Sequence, residues 1–191
     1  VNPLKRRWSV HLRNHRKIII IDGIIGFTGG MNIGKQYSGR VRKQKEETFF
    51  RDTHLKLQGP AVADLVQTFL EDWKFASGQT LQYQNKVSAN TEKGTSIVAI
   101  VPSGPDQNDY NASSLVYFVG ITSAKKFCYL STPYFIPDTP TLRALISAAA
   151  RGVDVRILVP EKSDIAIVGP AARSYYPLLI DAGVRIFEYR A

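Results

Sequence analysis

Asn14-His15-Arg16-Lys17-Ile18-Ile19-Ile20-Ile21-Asp22-Gly23-Ile24-Ile25-Gly26-Phe27-Thr28-Gly29-Gly30-Met31-Asn32 is the stretch on which the reading of this chain turns. Two β-branched runs on either side of Asp-Gly predict a β-hairpin. Side chains alternate along a strand, so His15 and Lys17 point the same way. A two-residue turn at Asp22-Gly23 sets Ile21 opposite Ile24, and counting outward sets His15 opposite Gly30, Lys17 opposite Thr28 and Arg13 opposite Asn32. On that register His15, Lys17 and Asn32 share one face at the open end, and Gly30 leaves a hollow there. An imidazole, an ammonium and an amide around a hollow suit a phosphodiester. The imidazole attacks phosphorus, and the cation and amide steady the oxygens that gain charge. Asp22 falls at the turn, where type I′ geometry favours it, and it is also a candidate for orienting the catalytic groups.

His-x-Lys alone matches a basic strand end with a surface histidine more often than it marks a site. Asp22, Gly29, Gly30 and Asn32 at fixed spacing outweigh that plain alternative.

Composition narrows the partner. The chain has 191 residues, 44% of them hydrophobic, and 25 Lys and Arg against 16 Asp and Glu give a net charge of +9. That is globular, with room for one domain or two small ones. The charge points to an anionic partner: nucleic acid, an anionic membrane surface or a phosphate-bearing substrate. A merely soluble basic surface is the alternative. Cys128 is the single cysteine, which excludes a disulfide framework or cysteine-based zinc site within one chain, and its apolar neighbours predict a core position. No run approaches the roughly 20 apolar residues of a membrane span; the longest candidate, Ile18 to Phe27, is broken by Asp22 and Gly23.

Downstream of the hairpin comes a charged loop, Gly34 to about Glu47, then a second strand over Phe49 to Leu57. Its Asp52, His54 and Lys56 alternate with Thr53, Leu55 and Leu57, so His54 falls on the polar face, either solvated or near the site. Gly59-Pro60 opens a helix whose Val62, Leu65, Val66, Phe69, Leu70 and Trp73 recur at helical spacing. The polar run from Ser77 to Lys93 predicts a linker. From Gly94 the pattern is α/β: strands at Ser96–Val101, Phe127–Ser131, Val153–Val159 and Val184–Tyr189, helices near Ala112–Ala124, Thr141–Ala150 and Ala171–Asp181. The matching phrases Gly152-Val153-Asp154-Val155-Arg156-Ile157 and Gly183-Val184-Arg185-Ile186-Phe187 each predict a left-handed helix stop feeding a buried parallel strand. Lys35, Arg40, Arg42, Lys43 and Lys45 form either a solvated loop or an attraction for anionic headgroups. Asp138 is the N-cap candidate of the helix after Thr132-Pro133-Tyr134-Phe135-Ile136-Pro137, at a strand end where open α/β sheets bind ligands.

The chain resembles the phospholipase D superfamily, whose signature is His-x-Lys-x4-Asp followed by Gly-Gly/Ser-x-Asn: here His15, Lys17, Asp22, Gly29, Gly30 and Asn32. Arg51-Asp52-Thr53-His54, the Thr132-to-Asp138 stretch and the two Gly-Val phrases are similar to the bacterial cardiolipin synthases within it. The resemblance implies an α/β fold comprising the end of one phospholipase D-like half (residues 1–76), a linker (77–93) and the start of the second half (94–191). It implies transfer of a phosphatidyl group between two phosphatidylglycerol molecules, with His15 as nucleophile, Lys17, Gly30 and Asn32 around the phosphate, and no metal or cofactor. Anionic phospholipid and the membrane surface are the implied partners, with no nucleic acid expected, at a bacterial cell membrane through an anchor outside this chain.

The family uses two copies of the motif, one per half. The only other histidines are His11, about 13 Å along a strand from His15, and His54. The resemblance therefore implies that the second motif lies outside the chain and that the chain alone is inactive. A phospholipase or nuclease acting on another acceptor, and a non-catalytic anionic-lipid-binding module, are the alternatives.

Overall fold

Asp22 and Gly23 both take left-handed backbone angles, φ 54° and 71°, and Ile24 N donates to Ile21 O at 3.0 Å, so the hairpin turns where the sequence places it. The computed structural model describes residues 14–37, 50–83, 94–104 and 112–190, and the chain divides into two compact units, Val1–Asp106 and Gln107–Ala191. In the first, β1 (Ile18–Ile21), β2 (Ile25–Gly29) and β3 (His54–Gln58) form an antiparallel sheet in that order, against which α1 (Ala61–Ser77) packs.

The register corrects the sequence expectation by one residue. Ile21 pairs with Ile25, Ile20 with Gly26 and Ile18 with Thr28, so Ile24 is an extra residue between turn and ladder. Packing supplies the reason. Gly26 is buried where a Cβ would come within 2.8 Å of Leu65 Cδ2 on α1, and the observed register sets it between Ile20 and Leu57. Counting from a two-residue loop sets it beside Ile19, whose side is open: Ile19 and Ile21 are 44% and 46% exposed. A slip of one residue exchanges the faces that two strands share.

Helix α1 follows Gly59-Pro60 as expected and stops at Gly78, φ 75°. Val62, Leu65 and Val66 are buried, but Phe69 and Trp73 lie on the more exposed flank and stack on each other with centroids 6.1 Å apart. The first residues of the expected linker fold back: Tyr83 OH donates to Gly23 O at 3.4 Å. Residues 94–104, expected to open the second half, belong to the first unit. They form no strand, and Ile97 is fully exposed, because a strand needs a neighbour and none flanks it among the described residues. Of the basic loop only Lys35 is described.

The second unit is the α/β part. Strands β4 (Phe127–Ser131), β5 (Asp154–Pro160) and β6 (Arg185–Tyr189) are parallel in the order β4-β5-β6, accompanied by α2 (Ala112–Ser123), α3 (Thr139–Ala150), α4 (Val168–Arg173) and α5 (Tyr176–Asp181). Its core gathers Ile121, Phe135, Leu145, Val155, Ile157 and Leu179, with Cys128 half-buried against it. The repeated phrases are one structure used twice. Val153 N reaches Ala148 O at 3.1 Å and Gly152 N reaches Ala149 O at 2.9 Å; Val184 N and Gly183 N do the same to Leu179 O and Ile180 O. These are paired Schellman stops. The single helix expected over Ala171–Asp181 is two, because Pro177 has no N–H to give the carbonyl four residues back.

Asp138 caps α3 as predicted, accepting from Thr141 N at 2.9 Å and from Ser114 Oγ. The bonds from Ser114 and then Thr141 hold its carboxyl below the usual range. Asp138→Ala is expected to cost about 1 kcal/mol, read as a lowered Tm. A depressed carboxylate stabilises above its unfolded value, so the difference from wild type should shrink as the pH falls below about 4.

Candidate functional site

The site begins where the ladder ends. Ile18 is the first residue of β1, and residues 14–17 before it belong to no strand. Arg16 turns to the α1 side: its Nη1 donates to Asp72 Oδ1 at 2.5 Å and its Nη2 to Ser103 O at 2.9 Å. Asn14 goes the same way, its Nδ2 donating to Asp72 Oδ2 at 2.8 Å. His15 lies between the two, within the turn that Arg16 N closes on Asn14 Oδ1. His15 is exposed and Lys17 half-buried, and the Lys17 ammonium donates to the His15 carbonyl at 2.6 Å. Asn14 and Arg16 are thus anchored on Asp72, and His15 stands exposed between them.

The paired glycines explain the rest of the open end. Gly29 pairs with His54 on β3, and continuing the β1–β2 register by one residue sets Lys17 on its other side. Lys17, Gly29 and His54 therefore form a row across the sheet with no side chain in the middle. A Cβ on Gly29 would overlap Thr53 O, and would lie 2.7 Å from His54 Cα and 2.9 Å from His54 Nδ1. One on Gly30 would overlap Asp52 Oδ1. Gly30 N donates to Thr53 O at 3.0 Å, and Thr53 N to Asp52 Oδ1 at 3.0 Å. Gly-Gly and Asp52-Thr53-His54, far apart in sequence, are two sides of one feature. His54 Nδ1 is buried and has no hydrogen-bond partner among the described residues.

The remaining candidates are placed differently from the sequence reading. The shifted register, carried on past β1, sets Gly30 opposite Arg16 rather than His15, and on its β3 side Gly30 faces Asp52. Asn32 lies past the end of β2, its Nδ2 donating to Tyr37 OH at 3.1 Å, and Tyr37 packs edge-on to Phe50 at 5.7 Å. No ladder pair sets it beside His15 or Lys17. Asp22 is exposed in the turn at the closed end, seven residues from His15 or roughly 23 Å of extended chain. His11 and Arg13 lie outside the described residues. Sequence reasoning missed Asp72 altogether, took Ser103-Gly104-Pro105-Asp106 for a turn without its contact to Arg16, and underrated Asp52 and His54; a doubled glycine preceding a polar strand was the available signal for the latter pair.

In the second unit Tyr134 OH donates to the Asp164 carboxylate at 2.9 Å beyond the carboxyl end of β4. Asp154 is ringed by Arg156, Arg185 and Tyr129, and Arg156 first, then Arg185, hold its carboxyl far below the usual range. No helix among the described residues is long and apolar enough to cross a membrane.

The family described as cardiolipin synthase, PLD-like domain, matches residues 118–191. Over 95% of its length the chain is 46% identical to a cardiolipin synthase of Alkalihalophilus pseudofirmus and 46% identical to one of Geobacillus kaustophilus. It is 47% identical to cardiolipin synthase 2 of Bacillus anthracis over the same share. The chain spans 36% of the length of the first two relatives and 35% of the third.

Proposed function

Given that this chain belongs to the phospholipase D-like family of the cardiolipin synthases, we propose that it supplies one half of a phosphatidyl-transfer site in a longer protein, with His15 as nucleophile. The observation that carries the reading is the open end of the hairpin, where an exposed His15 and a Lys17 whose ammonium meets the His15 carbonyl lead into a sheet row emptied by Gly29.

The steps balance as follows. The imidazole of His15 attacks the phosphorus of a phosphatidylglycerol; a P–N bond forms, the P–O bond to the headgroup glycerol breaks, and that oxygen takes a proton from an acid. The glycerol hydroxyl of a second phosphatidylglycerol then gives its proton to the conjugate base and attacks phosphorus, breaking P–N and yielding cardiolipin. Lys17 holds a non-bridging oxygen, exchanging its bond to the His15 carbonyl for one to phosphate. Gly30 keeps the backbone close to the phosphate, and the Asn32 amide, which in this structure meets Tyr37, turns toward it when substrate enters. Asp22 serves by fixing the turn. The acid belongs to a second His-x-Lys-x4-Asp motif supplied by the remainder of the protein, whose greater length in the relatives leaves room for it. Anionic phospholipid at a membrane surface is the substrate source, and the chain's net charge of +9 favours that encounter.

The test compares the 191-residue chain with the full-length protein on phosphatidylglycerol vesicles. Cardiolipin and glycerol from the full-length protein only is the expected result. Release of phosphatidic acid instead points to a phospholipase, and binding without turnover in either sample removes the catalytic reading. The donor set is imidazole, ammonium and amide rather than a carboxylate-rich cage, so turnover should survive EDTA in vesicles of unchanged lipid packing. Loss with EDTA and recovery with added metal would overturn the mechanism.

A further inference from the structure

The backbone that carries His15 lies outside the β1–β2 ladder, which starts at Ile18, so strand pairing does not hold it. Side chains do. Asn14 Oδ1 accepts from Arg16 N at 2.8 Å, closing a small ring around His15. Both flanking side chains then converge on one carboxylate: Asn14 Nδ2 at 2.8 Å on Asp72 Oδ2, Arg16 Nη1 at 2.5 Å on Asp72 Oδ1. Arg16 reaches on to Ser103 O at 2.9 Å. The Arg16 and Asp72 side chains are 25% and 26% exposed, sheltered more than a surface pair, and Asp72 sits on α1, whose Val62, Leu65 and Val66 are buried.

We propose that Asp72 is a positioning residue for the transfer reaction: it clamps Asn14 and Arg16 to α1 from behind and so fixes the imidazole of His15 at attacking distance from phosphorus. This rests on the reading of His15 as nucleophile. Asp72 touches no reacting atom. Its effect runs through geometry, and a misplacement of about 1 Å at a reacting group costs on the order of a hundredfold. Substrate affinity, set by phosphate and lipid contacts that Asp72 does not make, is left alone.

The test is steady-state kinetics of the full-length protein on phosphatidylglycerol vesicles. Asp72→Asn keeps the volume and one acceptor but loses the charge; it should lower kcat roughly 10- to 100-fold with KM changed less than about twofold. Asp72→Glu should recover part of kcat, and Glu71→Gln, one position along α1, should match wild type. Combining Asp72→Asn with Arg16→Lys should cost little more than either change alone, because both break one clamp. If Asp72→Asn folds poorly, Arg16→Lys carries the same kcat-against-KM reading. Wild-type kcat in folded Asp72→Asn, a rise in KM instead of a fall in kcat, or full additivity with Arg16→Lys overturns the proposal. His15→Ala separates the two readings: if it still turns over, the nucleophile assignment fails, whereas an inert His15→Ala beside a normal Asp72→Asn sinks only the clamp.

Discussion

His15→Ala in the full-length protein is expected to lower turnover by about ten-thousandfold or more while leaving Tm within a degree or so of wild type. The size follows from the role. A nucleophile that forms the covalent intermediate has no substitute within reach: His11 is four residues away in sequence, and His54 stands across Gly29 on β3 with its Nδ1 buried. The unchanged stability follows from placement, since His15 is exposed and its fixed neighbours are Asn14 and Arg16. Lys17→Ala should lose roughly a hundred- to a thousandfold through the missing phosphate contact. Near-normal turnover in His15→Ala, measured as cardiolipin formed per folded enzyme, contradicts the assignment.

The two glycines should behave differently from each other. Gly29→Ala forces a Cβ into the Thr53 carbonyl and the His54 backbone at φ 154°, and backbone cannot step aside as a side chain can. A loss on the order of 2–3 kcal/mol is expected, together with parting of β2 from β3. Activity should fall with it. Gly30→Ala meets the Asp52 carboxylate instead, which can rotate away at the expense of its bond from Thr53 N. It should keep most of the stability and still lose activity, because the displaced carboxylate lets go of Thr53 beside His54 and the new methyl holds the backbone away from the phosphate. Thermal unfolding beside turnover distinguishes the pair. Equal Tm for both variants would show that β3 does not press on Gly29 as described.

Much of this was legible in the sequence. Asp22-Gly23 announced its turn through two of the few residue types that tolerate such angles cheaply. Gly152 and Gly183 announced their helix stops for the same reason, and Asp138 its cap. These are local signals, each decided by one or two residues and their nearest backbone. What escaped was decided across the fold. The β1–β2 register was set by Leu65 pressing on Gly26, which no loop-counting rule contains. The isolated stretch at Ser96–Val101 has the composition of a strand but no flanking partner among the described residues. Helix α4 parts from α5 just ahead of Pro177, in the first turn of α5, a signal that was present and outweighed by apolar spacing. At the site, the shared face expected of His15 and Lys17 assumed the period of a strand, whereas the strand begins only at Ile18 and Asn14 bends the backbone around His15. The meeting of Gly29 and Gly30 with Asp52, Thr53 and His54, and of Asn14 and Arg16 with Asp72, joins segments that only the folded sheet and helix bring together.

The central claim is a covalent bond between phosphorus and His15, and trapping that bond tests it most directly. Full-length protein mixed with phosphatidylglycerol and quenched in base within one turnover should carry a phosphatidyl adduct, or its deacylated glycerophosphoryl remnant, whose P–N bond is stable in base and labile in acid. Peptide mapping by mass spectrometry should place it on the fragment containing His15, and it should vanish in His15→Ala. An adduct on any other residue, or cardiolipin formed at the full rate by His15→Ala, would contradict the account.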